Sequence, residues 1–326
     1  MNAAVRHGRP LNKPPRLRFG DVVGLVAPGS PPRDPGAGSR AVAALEKLGF
    51  HPRPARHARK RLGFLAGSDA ERASDLMEMF SDREVKAIFC LRGGYGAGRL
   101  LPLLDYSWIK RHPKVFVGYS DITALHCALL TQAGLVSFHG PMMIDGLGGP
   151  RAPAFARQSL LRTIMEASPA GSILENYRGK TVRILKRGRA EGALIGGNLS
   201  LLCATLGTPY QPDFRDTILF FEDISEEPYR VDRMLTHLLN AGLLQRVAGV
   251  AAGLHANCQE KQSKRRGEYR QSMTDVLEER LGLLKVPVVV GLPFGHVPQN
   301  ATLPVGLSAT LDAERGDLII NEPAVR

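Results

Sequence analysis

The feature that most constrains this chain is an alternation of short apolar, β-branched runs, closed by glycine or proline, with stretches of helical periodicity. Residues 21–30, DVVGLVAPGS, read as a buried strand followed by a loop, and residues 39–49, SRAVAALEKLG, as a helix with a glycine stop. The unit then repeats. DAERASDLMEMFSD (69–82) reads as a helix capped by Ser68 or Asp69, and KAIFCL (86–91) as a strand ending in the glycine-rich RGGYGAG. Helical residues follow around 97–111, then the strand KVFVG (114–118), then a helix over 121–134 that opens directly after Tyr119 and Ser120. This order predicts an α/β fold whose N-terminal domain is a doubly wound parallel sheet, running to about residue 150 where MIDGLGGPRAPA breaks the pattern.

Residues 154–167 read as a bridging helix, and the polar, irregular segment up to residue 190 as a linker with β character. A smaller C-terminal α/β domain over 191–326 is then expected. It opens with a strand, a Gly-Gly turn and a helix with Asn198 near its start. TILFFED (217–223) reads as a strand and residues 229–242 as a helix. Residues 247–254 and 286–292 read as buried strands, and GLSATLDAERGDLII as a terminal hairpin.

Composition narrows the function. The 326 residues are 44% hydrophobic and 23% charged, which supplies a core and favours two domains over one. The net charge of +12 raises nucleic acid, anionic surfaces and acidic small substrates as partners. The cations are scattered, however. Their one dense cluster, Lys261, Lys264, Arg265, Arg266 and Arg270, reads as a solvated loop, with contact to an acidic substrate as the other use. No aromatic-rich RNA-binding run accompanies it, so no nucleic-acid partner is expected. Cys90, Cys127, Cys203 and Cys258 lie far apart, in neither a zinc nor a disulfide pattern, which suits a reducing compartment. The N-terminus lacks the apolar region of a signal peptide, and residues 1–16 read as a disordered basic lead-in. The apolar runs fall short of a membrane span, so a cytoplasmic setting without a membrane partner is expected.

Three places carry candidate chemistry. Ser120 lies between a strand and a helix, the context that lets a sharp turn expose a nucleophilic hydroxyl and aim the following N–H groups at an oxyanion. The match to the nucleophile-elbow pattern is partial, with no glycine two residues after the serine, and on local sequence alone helix capping is the commoner use of such a serine. The second place is the loop from Arg92 to Gly96, whose glycines can bring backbone N–H groups against an anion or simply make a tight turn. It lacks both the dinucleotide and the P-loop spacing, although a non-catalytic nucleotide-binding protein using it as an anion cradle is a rival reading. The third is the pair Glu222 and His296. Both stand at strand ends, where a carboxylate can fix the tautomer of a histidine that serves a serine. His139 and His255 also follow strands and remain outside candidates.

Together these residues resemble the LD-carboxypeptidases, the S66 serine peptidases, from about Leu17 to Gly306. The stretches that carry the resemblance are VGLVAPGS, the loop from Arg92 to Gly96, PKVFVGYSDITAL, the strand from Ile218 to Asp223 and the turn from Gly291 to His296. The resemblance implies Ser120 as nucleophile, His296 as general base and then acid, and Glu222 as its orienting carboxylate. The oxyanion hole would come from the backbone N–H groups of Asp121 and of Gly94 or Gly93. It implies hydrolysis of the amide between an L-centre and a C-terminal D-amino acid, typically D-alanine of the murein tetrapeptide in cell-wall recycling. It also implies a homodimer, no metal or cofactor, and an active site in the cleft between domains. Arg92 and Arg230 are the candidates to bind the substrate carboxylate. A branch of the family, the microcin-immunity peptidases, cleaves peptidyl-nucleotide amides and stacks the base on aromatic residues of the second domain. Here the only tryptophan is Trp108, in the first.

Overall fold

The computed structural model describes residues 11–149, 152–259 and 271–326; the basic cluster at 261–270 lies outside them. The first strands are β1 (Val22–Val26), β2 (His51–Pro54), β3 (Val85–Cys90), β4 (Val115–Gly118) and β5 (Ser137–His139). After them come β6 (Pro169–Ser172), β7 (Arg183–Lys186), β8 (Arg189–Asn198), β9 (Thr217–Ile224) and β10 (Gly249–Ala256). β11 (Val288–Leu292), β12 (Leu303–Val305), β13 (Ser308–Asp312) and β14 (Asp317–Pro323) complete the set. The α-helices are α1 (Ala37–Lys47), α2 (Asp69–Ser81), α3 (Tyr106–Arg111), α4 (Thr123–Ala128), α5 (Ala154–Met165), α6 (Leu199–Thr205), α7 (Pro228–Asn240) and α8 (Met273–Gly282).

Two sheets result. The first has the order β12-β5-β4-β3-β1-β2, and its strands β1 to β5 are all parallel. Its interior strands are apolar on both faces, as a sheet covered on both sides requires: Phe89, Phe116 and Phe138 have no exposed surface. Each such side chain contributes about 1.5–3 kcal/mol relative to an exposed position. From β1 the chain turns out to β2; from β3 it turns the other way, to β4. The strand order therefore reverses between β1 and β3, the place in such a sheet where ligands bind at the carboxyl ends of the strands. Ser68 caps α2 reciprocally with Glu71, at 3.2 Å and 3.0 Å.

The second sheet has the order β6-β14-β13-β8-β9-β10-β11-β7. Its centre, β8 to β11, is parallel, and antiparallel strands flank it on both sides. Its faces are covered by one cluster that includes Leu235 and Val250 and another that includes Phe220 and Phe294.

Several local expectations change. Residues 11–16 are held rather than loose: Asn12 bridges to Leu135, Arg16 N donates to Arg326 O at 2.9 Å, and Arg326 N donates to Pro14 O at 3.0 Å. Gly196 and Gly197 make no turn but lie inside β8, because a Cβ at Gly196 would meet Phe220 O of the neighbouring strand at 1.8 Å. The segment 151–190 is not merely linker, since it supplies β6 and β7 at opposite ends of the second sheet. The helical stretch 97–111 is a 3₁₀ helix over Ala97–Leu103, with Pro102 inside it, followed by α3. Among the described residues no helix is long and apolar enough to cross a membrane, and no group of three or more acidic, histidine or cysteine side chains could hold a metal ion.

Candidate active site

The carboxyl ends of the two sheets face one cavity of about 920 Å³. From the first sheet it is lined by Arg33, Arg92, Gly93, Gly94, Tyr119 and Ser120; from the second by Ile224, Ser225, His296, Val297 and Pro298.

Ser120 follows β4 with φ at +64°, a left-handed conformation that costs a non-glycine residue roughly 1–2 kcal/mol and that surrounding structure must impose. The chain can turn this sharply because Gly118 leaves room for Ile122: a Cβ there would stand 2.8 Å from its Cγ2. Ser120 is the first residue of a 3₁₀ turn over Ser120–Ile122 that leads into α4; Tyr119 holds the cap position, and no side-chain cap bond forms there or at the start of α4. The Ser120 hydroxyl lies instead 3.0 Å from Nε2 of His296.

His296 sits in the turn after β11. Gly295 precedes it at φ +104°, and Asn300 Oδ1 accepts from the Gly295 N–H at 3.0 Å. The imidazole Nδ1 is 2.6 Å from Oε2 of Glu222, whose side chain is fully buried near the end of β9. A buried carboxylate is costly unless its lone pairs are used. Here Oε2 is matched to the histidine, and Asn198 Nδ2 approaches Oε1 at 3.4 Å. Asn198 also donates to Asp223 Oδ1 at 2.9 Å, while Ser200 donates to Asp223 Oδ2 through both its N–H and its hydroxyl. The Tyr119 ring meets the His296 ring edge-on at 4.8 Å and limits its rotation. Such a relay can move a proton from a serine hydroxyl to an imidazole whose charge a carboxylate then offsets.

The glycine-rich loop after β3 lies against this turn. A Cβ on Gly93 would stand 3.1 Å from the Asp121 nitrogen and from the Ser120 Cβ. Gly94 has φ +88°, and a Cβ there would collide with Ser30 at 2.3 Å. The backbones of 93–94 and 121 therefore share one corner of the cavity.

The structure separates the two arginines named from the sequence. Arg92 lines the cavity and donates to Pro31 O at 3.1 Å. Arg230 is not among the lining residues; it is half-buried on α7, 3.1 Å from Tyr229 Oη and 3.8 Å from Glu226. Arg33 does line the cavity and went unnoticed, because a cation in the loop PPRDPG carries no local signal.

The outside candidates occupy other places. His139 is fully buried with its ring 5.8 Å from that of Tyr119, and burial holds it neutral, well below the ordinary histidine range. His255 stacks edge-on against Phe221, its basicity also lowered by burial. His126 bonds Ser137 Oγ and Gly118 O at 2.8 Å each, and burial brings it down to about 4.

Comparison with known proteins follows the same division. A family model described as the LD-carboxypeptidase N-terminal domain matches residues 23–140, and one described as the C-terminal domain matches residues 191–311. A Bacillus subtilis protein named probable murein peptide carboxypeptidase is 41% identical over 308 residues, 94% of each chain. The murein tetrapeptide carboxypeptidase of Pseudomonas aeruginosa is 33% identical over 83% of this chain and 87% of its own. Among solved structures, the microcin C7 self-immunity protein MccF in complex with aspartyl sulfamoyl adenosine superposes with a TM-score of 0.86. It is 27% identical and covers 97% of this chain and 100% of its own.

Proposed function

The chain belongs to the LD-carboxypeptidase family, and from that premise we propose that it is a serine-type peptidase releasing the C-terminal D-alanine of murein tetrapeptide. The observation that carries this reading is the unbroken relay from Ser120 through His296 to Glu222 on the wall of the cavity. In the proposed mechanism the Ser120 hydroxyl donates its proton to His296 Nε2 as its oxygen attacks the carbonyl of the L-centre. The N–H groups of Asp121 and of Gly94 or Gly93 receive the developing oxyanion. Glu222 accepts from Nδ1–H and stabilises the imidazolium, which then protonates the departing amine of D-alanine. Water hydrolyses the acyl-enzyme by the same relay in reverse. Arg92, joined by Arg33, is assigned to the substrate's terminal carboxylate, a group that planar guanidinium donors fit well. No metal or cofactor is invoked.

We assign the nucleophile to an N-terminal domain of residues 17–150 and the glutamate and histidine to a C-terminal domain of residues 191–326. We place the protein in the cytoplasm as a homodimer. The four free cysteines favour a reducing compartment, and the oligomeric state is checked by light scattering on a sizing column. Peptidyl-nucleotide cleavage of the kind expected for the microcin-immunity branch is less well supported. Among the described residues, Tyr119 is the one phenyl, phenol or indole ring lining the cavity, and Trp108 packs on His112 at 4.2 Å.

The test is D-alanine release from purified murein tetrapeptide by the wild type and by Ser120→Ala. The expected result is release by the wild type and a loss of at least about 10⁴-fold in the variant. Undiminished turnover in Ser120→Ala would overturn the assignment. Wild-type protein that ignores the tetrapeptide but cleaves an aminoacyl sulfamoyl nucleoside would shift the substrate to the other branch.

A further inference from the structure

We infer that the side chain of Asp121, locked in place with buried Arg72, is a positioning group that sets the geometry of the oxyanion hole. The inference rests on the serine reading above, in which Asp121 contributes only its backbone N–H.

The carboxylate of Asp121 points away from the cavity and is 2% exposed. Its Oδ2 accepts from the Ala97 N–H at 2.8 Å, and the Gly96 N–H also bonds it. Both donors belong to the far end of the loop that carries Gly93 and Gly94. Arg72, on α2 and 1% exposed, donates to Gly96 O at 2.9 Å, to Pro28 O in the loop after β1, and to Asp69 at 2.5 Å. Arg99 holds the other side of Asp69 at 2.8 Å. Gly29 closes the arrangement: a Cβ there would stand 2.5 Å from Gly93 O and 2.7 Å from Asp121 Oδ2. Ser30 N donates to Gly93 O at 2.9 Å, and Tyr95 N donates to Ser30 Oγ at 3.1 Å. The loops after β1, β3 and β4 are thus tied to one another through one aspartate and one arginine.

A packed apolar residue would fill the site of Asp121 at far lower cost than a buried carboxylate, so the packing alone does not call for this side chain. Its bonds do something an apolar group cannot. They fix the distance between the two backbone segments that bear the proposed oxyanion donors, and they anchor the residue next to Ser120 in its left-handed conformation. The negative charge of Asp121 would by itself oppose an oxyanion nearby. The positive charge of Arg72, bonded to the same loops from α2, offsets it, which is why the two are expected to act together.

The experiment uses the full chain with Asp121→Ala, Asp121→Asn and Arg72→Lys, each checked for a wild-type circular dichroism melt. Two readouts are taken: kcat and KM on murein tetrapeptide, and the rate at which a fluorophosphonate labels Ser120. In that labelling the Oγ–P bond forms, the P–F bond breaks, fluoride leaves and the serine proton passes to His296. The phosphoryl oxygen needs the same donors as the substrate's oxyanion.

Asp121→Ala is expected to lower kcat on the order of 10²-fold with KM within about threefold, and to slow labelling in parallel. Asp121→Asn, which keeps an acceptor for Ala97, is expected to recover about tenfold of that loss. A folded Asp121→Ala that retains kcat and labelling within about threefold of wild type overturns the inference. So does a loss confined to KM. Should Asp121→Ala fail to fold, Asp121→Asn and Arg72→Lys are judged by the same two readouts. Labelling needs no peptide turnover, so a failure of the proposed substrate stays distinct from a failure of the clamp.

Discussion

Glu222 shows how much of the site depends on individual groups being held. Nothing in TILFFED requires its carboxylate to be catalytic, but full burial beside an imidazole leaves it little else to do. Glu222→Gln keeps the shape and removes the charge, so the imidazole loses both its fixed tautomer and its counter-charge. A kcat loss on the order of 10³–10⁴-fold with little change in melting temperature is expected from steady-state kinetics and a thermal melt. Gly295→Ala should act at the same place by another route. The residue has φ +104°, and a Cβ would stand 2.7 Å from Glu222 Oε2, so the carboxylate must move away from Nδ1. A fall in kcat of about 10-fold or more is expected in a stopped assay of D-alanine release, and an unchanged kcat would show that the relay tolerates the displacement. The residue types at 120, 222 and 296 were legible from strand ends and motifs. The positive φ of Ser120, the inward use of the Asp121 carboxylate and the reach of Arg33 were not, since each depends on loops distant in sequence.

The short segment from β4 through α4 carries Ser120 and packs against a buried histidine. His126 bonds Gly118 O on one side and Ser137 Oγ on the other, and burial lowers its pKa to about 4 from an ordinary value near 6.5. A depressed histidine contributes stability that is fully present above the unfolded value and is lost as pH falls towards the folded one. Between about pH 6.5 and pH 4 the unfolded chain binds the extra proton. Urea denaturation across that window should show a loss on the order of 3 kcal/mol from this group, with His139 adding in the same direction. His126→Gln should flatten the slope; an equally steep slope in the variant would assign the acid lability elsewhere. At this scale the sequence predicted strands and helices well where period and caps agreed, as in α2 with its reciprocal cap and the β13–β14 hairpin. It misread β8, because a Gly-Gly pair looks like a turn and only the neighbouring Phe220 backbone shows why glycine is needed inside a strand. β2, with the sequence HPRP, carried no strand signal at all.

At the scale of the molecule the two sheets are not independent beads on a string. β12, from the C-terminal half, forms an edge of the first sheet by pairing with β5, and Ala324 and Val325 are buried in the first sheet's core. Thr123 Oγ1 accepts from the Asn198 N–H at 2.9 Å, tying α4 to the end of β8. Unfolding is therefore expected to be one cooperative event. Fluorescence of Trp108, the only tryptophan, reports the first sheet, while far-ultraviolet circular dichroism reports both. The two urea transitions should coincide within error; separated midpoints would show that the halves unfold independently. The parallel half was legible because βα units repeat locally. The return of β12 was not, since a three-residue edge strand is specified by the partner it finds and not by its own pattern.

That return has a consequence for how the protein comes into being. A ribosome emits Ser120 long before it emits the residues that finish the sheet beneath it, at about 5–20 residues per second. Until the stretch that includes β12 and the buried Ala324 and Val325 has cleared the exit tunnel, the nascent N-terminal half lacks an edge and part of its core. A stalled or prematurely terminated product is thus a client for chaperones and proteases and not a stray hydrolase. The topology itself ties the onset of activity to the synthesis of β12 and of the residues around Ala324 and Val325.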